Sequence, residues 1–190
     1  AVVGAFEGGR YQSQDVYRPE LDCLMRTLGI GLCRVCTEAH ILAYYDKVSP
    51  IDEVTPAGDV QISLGDTAVF GVTVMVPAKG PALQTSWALD GEALEAGTAS
   101  ATVDSGQLGL GQHTLTVSAF DPTPMVRTDP DGLLTAQHTW VLTVVCPADL
   151  CEDGGACVTC PEPMVEPEPT VEAEPIVEPE PTVEPEPTVE

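Results

Sequence analysis

The sequence predicts a mainly β chain: an immunoglobulin-like antiparallel β-sandwich, preceded by a small α-containing segment and followed by a cysteine-rich cluster and a disordered tail. Three observations predict it. Apolar residues alternate with period two between residues 59 and 145. Turn-forming dipeptides separate the alternating runs. A six-residue Glu-Pro repeat fills the C-terminal end. Period-two alternation puts one face of each strand on a core and the other in water, as in antiparallel sheets packed face to face.

The sandwich is expected over 58–145. Phe70, Val72, Val74 and Val76 form one alternating run. Leu83, Thr85, Trp87 and Leu89 form a second, which ends at Asp90-Gly91. That dipeptide signals a two-residue hairpin, because both central positions of such a turn take positive φ. Leu115, Val117 and Ala119 follow the turn Gly109-Leu110-Gly111, and Trp140, Leu142 and Val144 give a last strand. Trp87 and Trp140 both fall on apolar faces and are expected to be buried. No cysteine pair lies inside the sandwich, so burial alone must hold it together, which a domain of roughly 90 residues permits. Between Ala119 and Trp140 runs Asp121–Leu134, a long loop with three prolines and Arg127. Long loops of this kind are often functional; the plainer role is for Met125 and Leu133 to cap the end of the sandwich.

Ahead of the sandwich, residues 1–50 hold one helix, from about Val35 to Lys47, with Val35, Ala39, Leu42 and Tyr45 at near-helical spacing. Ser49-Pro50 ends it, because the residue before proline is pushed out of the α region. Residues 51–57, with Pro56, read as a linker. Behind the sandwich come a cysteine cluster over 146–160 and a repeat tail over 161–190. The repeat carries too little apolar surface to order itself. Its proline density favours extended polyproline II reaching roughly 90 Å, a spacer or stalk.

Composition narrows the partners. Thirty acidic residues face seven basic ones, a formal net charge of −23, so nucleic acid and anionic membrane surfaces are poor partners, because every approach adds like-charge repulsion. No apolar run is long enough to span a bilayer. The opening, Ala1-Val2-Val3-Gly4-Ala5-Phe6, reads as the interior of something longer. Seven cysteines, Cys23, Cys33, Cys36, Cys146, Cys151, Cys157 and Cys160, suggest an oxidising, extracytoplasmic compartment, secreted or at the cell surface. All seven are disulfide candidates, and the odd total leaves one thiol over.

Few residue patterns carry chemistry. A peptidase zinc site needs histidines paired about a glutamate on one helix, H-E-x-x-H. His40, His113 and His138 form no such motif and fall in three different elements. Cys33-Arg34-Val35-Cys36 has the spacing of a redox motif but lacks the βαβ frame of thioredoxin-like proteins, which favours a structural bridge. Cys146, Cys151, Cys157 and Cys160 allow either four-thiolate zinc or a disulfide knot, and their irregular spacing favours the knot. A Ser-His-Asp triad, being geometric, stays open.

The first segment has further detail. Gly4-Ala5-Phe6-Glu7-Gly8-Gly9, then Tyr11, then Tyr17-Arg18-Pro19-Glu20-Leu21-Asp22-Cys23-Leu24-Met25-Arg26, then Leu32-Cys33-Arg34-Val35-Cys36 before a helix resembles the end of the catalytic domain of bacterial IgA-peptidase-type zinc metallopeptidases. The resemblance covers about residues 2–48. The sandwich, with Trp87, the Asp121–Arg127 stretch and Trp140, is similar to domains that follow such catalytic units. The resemblance implies a parent that hydrolyses peptide bonds with zinc-activated water, acting on a protein or peptide substrate through upstream residues of the same chain. This chain lacks the zinc-binding helix, so catalytic and metal-ligating residues are expected to be absent from it, and it holds no cofactor of its own. By the same resemblance, Met25 matches a methionine turn under the metal, with Tyr17 and Arg18 on the approach to that floor. Setting the resemblance aside, Met25 is a core methionine. Cys23 would be bridged to Cys33 or Cys36. The rival reading is a non-enzymatic adhesion or ligand-binding module on a stalk, with Trp87 or Trp140 and the Asp121–Leu134 loop as its contact surface.

Overall fold

The computed structural model describes residues 2–161; the expected repeat tail lies outside them from residue 162 onward. Residues up to Cys160 cluster into one unit, and its strands fall into two packed sheets flanked by two small hairpins.

The first sheet has three strands in the order β3-β5-β8, with β3 at Ile51–Thr55, β5 at Thr67–Val74 and β8 at Ser100–Asp104. The second has five, in the order β4-β10-β9-β6-β7, with β4 at Val60–Ser63, β6 at Gln84–Leu89, β7 at Glu92–Ala96, β9 at Gly111–Phe120 and β10 at Thr135–Val145. All pairings are antiparallel except β4 with β10, where Val60 lies opposite Leu142 in parallel register. This is an immunoglobulin-like sandwich whose leading edge splits: β3 joins one sheet and β4 the other. The Asp90-Gly91 turn takes φ of 51° and 84°, the geometry its sequence demands.

Between the sheets lie Phe70, Val72, Trp87, Ala101, Val103, Leu115, Val117, Trp140 and Leu142, all buried. The two indoles stack with ring centroids 5.8 Å apart and planes 10° from parallel. Phe70 meets Trp140 at 5.2 Å, tilted by 60°. Each buried indole N–H finds a carbonyl: Trp87 donates to Thr98 (3.2 Å) and Trp140 to Pro56 (2.7 Å). A buried N–H left unpaired would cost more than the bond contributes.

The stretch expected to be a linker, 51–57, is instead a strand and its exit. Ile51 and Val54 pack against the sandwich core, and the Pro56 carbonyl receives the Trp140 indole. The sandwich therefore begins at Ile51, not at 58.

The segment before it carries a hairpin of β1 (Phe6–Gly9) and β2 (Gln12–Arg18), then one helix, α1 (Arg34–Tyr45). The hairpin turns through Arg10 and Tyr11, both at positive φ (49° and 67°). Helix α1 buries Glu38 and Tyr45, while Ala39, expected on the buried face, is exposed. Glu38 and Tyr45 are seven residues apart and so share a face. That face docks on the Asp121–Leu134 loop. Glu38 Oε1 accepts the backbone N–H groups of Arg127 (2.8 Å) and Thr128 (3.1 Å), and Oε2 accepts the Arg127 guanidinium at 2.7 and 3.0 Å. The Tyr45 hydroxyl donates to buried Asp121 at 2.6 Å. The loop thus ties the helix to the sandwich, and Leu134 rather than Met125 fills its inner side, since Met125 is exposed.

Beyond β10, strands β11 (Leu150–Asp153) and β12 (Ala156–Thr159) form a hairpin. It is crossed by disulfides Cys146–Cys157 and Cys151–Cys160, so these four cysteines are bridged and do not form the alternative four-thiolate site.

Candidate functional site

The chemistry-bearing residues of the first segment meet at a half-open cavity of about 650 Å³, lined by both strands of the β1–β2 hairpin and by Arg18, Glu20, Met25, Arg26 and three cysteines. Its walls follow from local bonding. Arg18, at the end of β2, is a clamp: its guanidinium donates to the carbonyls of Glu7 (3.1 Å), Gly8 and Leu21 (3.0 Å). Hairpin and following turn are thereby held together from one side chain. Arg26 pairs with Asp22 at 2.9 Å across one turn.

The entrance to α1 is capped from a distance. Cys33 occupies the N-cap position with extended backbone but makes no side-chain cap bond. Instead, buried Glu20 accepts the Arg34 N–H at 2.8 Å, satisfying one of the amides that every helix start leaves unpaired. The Cys33 thiol is left free to face Cys23 and Cys36.

Those three cysteines are free thiols. The expected bridge from Cys23 to Cys33 or Cys36 is absent; instead all three Sγ atoms lie within 4.8 Å of one another. Cys23 and Cys33 are buried and Cys36 is half-buried. The Cys33 N–H donates to Cys23 Sγ at 3.1 Å, and this bond is the main reason the Cys23 thiol is held below its ordinary value. Cys36 is pushed up to about 12, first by its hydrogen bond with Cys33 and then by burial. The signal for this grouping was present as Cys-x-x-Cys opening a helix; the turn that returns Cys23 to it has no local signature.

Of the residues matched to an active-site floor, Met25 and Arg18 line the cavity. Met25 is 74% exposed, so it is not a core methionine. Tyr17 lies outside the lining with its ring exposed.

A second cluster sits on the sandwich. His113 Nδ1 meets Asp90 Oδ2 at 2.7 Å, and its Nε2 meets the Gly109 carbonyl at 2.9 Å. Bonding to two acceptors favours the doubly protonated ring, so His113 is raised above its ordinary value, by Asp90 first. Asp90 is lowered, chiefly by the Thr114 N–H and then by His113. With Nε2 committed to a carbonyl, the pair serves no serine, which removes the triad reading for this histidine.

Comparison with known proteins adds two likenesses. The family model of IgA Peptidase M64 matches residues 1–43, the stretch that contains the cavity, the three thiols and most of α1. Fibronectin(III)-like modules of Clostridium thermocellum CbhA are similar to this chain at 12% identity with a TM-score of 0.32, over 48% of this chain and 93% of that one. A comparison with curated proteins returns no match. The residues present do not fit a catalytic zinc of the peptidase kind. His40, His113 and His138 stand on α1, β9 and β10, and both ring nitrogens of His113 are engaged.

Proposed function

We propose that this chain is the C-terminal part of a secreted, zinc-dependent metallopeptidase. In it, residues 1–48 complete a catalytic domain, the sandwich is an accessory domain fixed to that piece, and the repeat tail is a spacer. The observation that carries the reading is the peptidase family match over residues 1–43. Two others support it. The matched segment leaves Tyr11, Tyr17, Leu21, Met25 and Leu28 exposed, apolar surface that the rest of a catalytic domain would cover. The bridges at Cys146–Cys157 and Cys151–Cys160 suit an oxidising compartment outside the cytoplasm. Among the described residues no helix is long and apolar enough to cross a membrane.

In this reading the zinc ligands and general base belong to upstream residues of the parent, and this chain contributes walls and positioning. Substrates are proteins or peptides; nucleic acid is not a partner. The test is to express the reading frame extended upstream of Ala1 and assay it on an unstructured protein, with and without a zinc chelator. Cleavage by the extended chain that the chelator abolishes, with none by the 190-residue chain, is the expected result. An upstream segment without paired histidines about a glutamate, or chelator-sensitive cleavage by the 190-residue chain alone, would overturn it.

A further inference from the structure

We infer that Cys23, Cys33 and Cys36 form a three-thiolate site for a borderline-soft divalent cation of the zinc class, tying the turn after the β1–β2 hairpin to the start of α1. The inference rests on these three residues and is independent of any peptidase activity.

Number decides first. Three thiols with every Sγ within 4.8 Å of the others cannot all be satisfied by one disulfide: whichever pair closes leaves a thiol crowded against the bridge. One tetrahedral cation takes all three. The four cysteines at 146–160, an even set, close as two bridges in the same chain.

Geometry agrees. Cys33 and Cys36 come from the first turn of α1 and Cys23 from a separate turn, fixed by the Leu24 N–H to Gly31 carbonyl bond at 2.9 Å and the Arg26 and Thr27 N–H bonds to the Cys23 carbonyl. The Cys33 N–H already points at Cys23 Sγ, the kind of supporting bond that orients a ligand and steadies its charge. The twelve-residue helix starts beside Cys33 and Cys36, so its positive end offsets negative charge gathered there by a bound cluster.

Charge also balances. Binding one Zn²⁺ displaces three thiol protons and leaves a single net negative charge, which sits at the N-terminus of α1 in a cavity lined by arginines (Arg10, Arg18, Arg26) and by two carboxylates (Glu7, Glu20). Sulfur donors select zinc-class ions over Mg²⁺ or Ca²⁺. All three cysteines line the cavity, and water or one further ligand would complete the tetrahedron.

The test uses the full chain with its two disulfide bridges intact, stripped of metal by a chelator under argon without added reductant, and titrated with Zn²⁺ and, separately, Co²⁺. One equivalent of each is expected, and cobalt should show sulfur-to-metal charge transfer and the ligand-field bands of a tetrahedral thiolate site. C36S should weaken Zn²⁺ at least about 10- to 100-fold. Removing the Cys146–Cys157 bridge (C146S with C157S) should leave the stoichiometry unchanged. Peptide mapping of unreduced, metal-loaded protein that finds a disulfide within the trio would sink the site, as would cobalt binding without sulfur bands or metal lost with the 146–157 bridge. The cobalt spectrum of the unsubstituted chain decides even if C36S fails to fold.

Discussion

The sandwich and the segment before it hold their shape by different means. In the sandwich, Trp87, Trp140 and Phe70 form an aromatic centre between two sheets, with Leu115, Val117 and Leu142 sealed around it. Residues 2–50 have no such centre. Their buried set is small and partly polar: Cys23, Cys33, Tyr45, Glu20 and Glu38 among them. Most of the exposed large apolar side chains of the described residues, Tyr11, Met25 and Leu28 included, belong to this segment. One region follows the rule that burial of apolar area stabilises a domain. The other is held by directed polar bonds: the Arg18 clamp, the Glu20 cap and the docking of Glu38 and Tyr45 on the sandwich loop. A segment built this way draws part of its stability from the sandwich loop it docks on.

The largest expected effect attacks the aromatic centre. Trp140→Ala removes a side chain that is 0% exposed, leaves a cavity against Trp87 and Phe70, and abandons the Pro56 carbonyl. A loss of about 3–5 kcal/mol is expected, read from urea denaturation followed by Trp87 fluorescence. A loss under about 1 kcal/mol would mean that the sandwich is not held by this centre, and the contrast between the two regions would fail.

An intermediate effect is expected where the regions meet. Tyr45→Phe deletes the hydroxyl that donates to Asp121 while keeping the ring, and should cost roughly 1–2 kcal/mol, with faster amide exchange confined to α1. The Glu38 contact adds a pH signature. Its carboxyl is held below the ordinary 4.5, first by the Arg127 guanidinium and then by the backbone N–H groups. A group lowered in the folded state stabilises at pH above its unfolded value and loses that contribution as pH falls through the folded one. The protection of the α1 amides, meaning their exchange relative to the intrinsic rate at each pH, should therefore fall on acidification below about pH 4.5, and Arg127→Ala should flatten that dependence. Protection that stays constant through that range would show that the helix does not lean on Glu38.

Legibility in the sequence follows the same divide. Strands β5, β6, β9 and β10 were readable because Phe70-Val72-Val74, Trp87-Leu89, Leu115-Val117-Ala119 and Trp140-Leu142-Val144 each alternate against one core, and both tryptophans are buried as that pattern requires. Strand β3 was not, because Asp52-Glu53 and Pro56 carry linker chemistry and only Ile51 and Val54 reach the core. The β1–β2 hairpin was hidden by a polar strand, Gln12–Arg18, and by a turn of Arg10-Tyr11 with no glycine or asparagine to announce it. The buried face of α1 was misread at Ala39 because Glu38 is satisfied by Arg127, 89 residues away, a pairing no local pattern encodes. The four C-terminal cysteines were readable as bridges from their density. The other three were not readable as a convergent trio, since Cys23 reaches Cys33 and Cys36 only through the intervening turn.

The smallest expected effect sharpens the contrast most cheaply. Met25 lines the cavity but is 74% exposed, so Met25→Ala removes few contacts in this chain and should change its stability by no more than about 0.5 kcal/mol. A buried methionine would cost about 2–5 kcal/mol for the same change, so a single denaturation curve separates the two cases. A near-zero result here, joined to a clear loss of activity when the same substitution is made in the upstream-extended chain, would mean that Met25 meets its partners only there. A large loss in the 190-residue chain would instead show that the first segment has a core of its own, and that its exposed apolar surface is not a sign of missing neighbours.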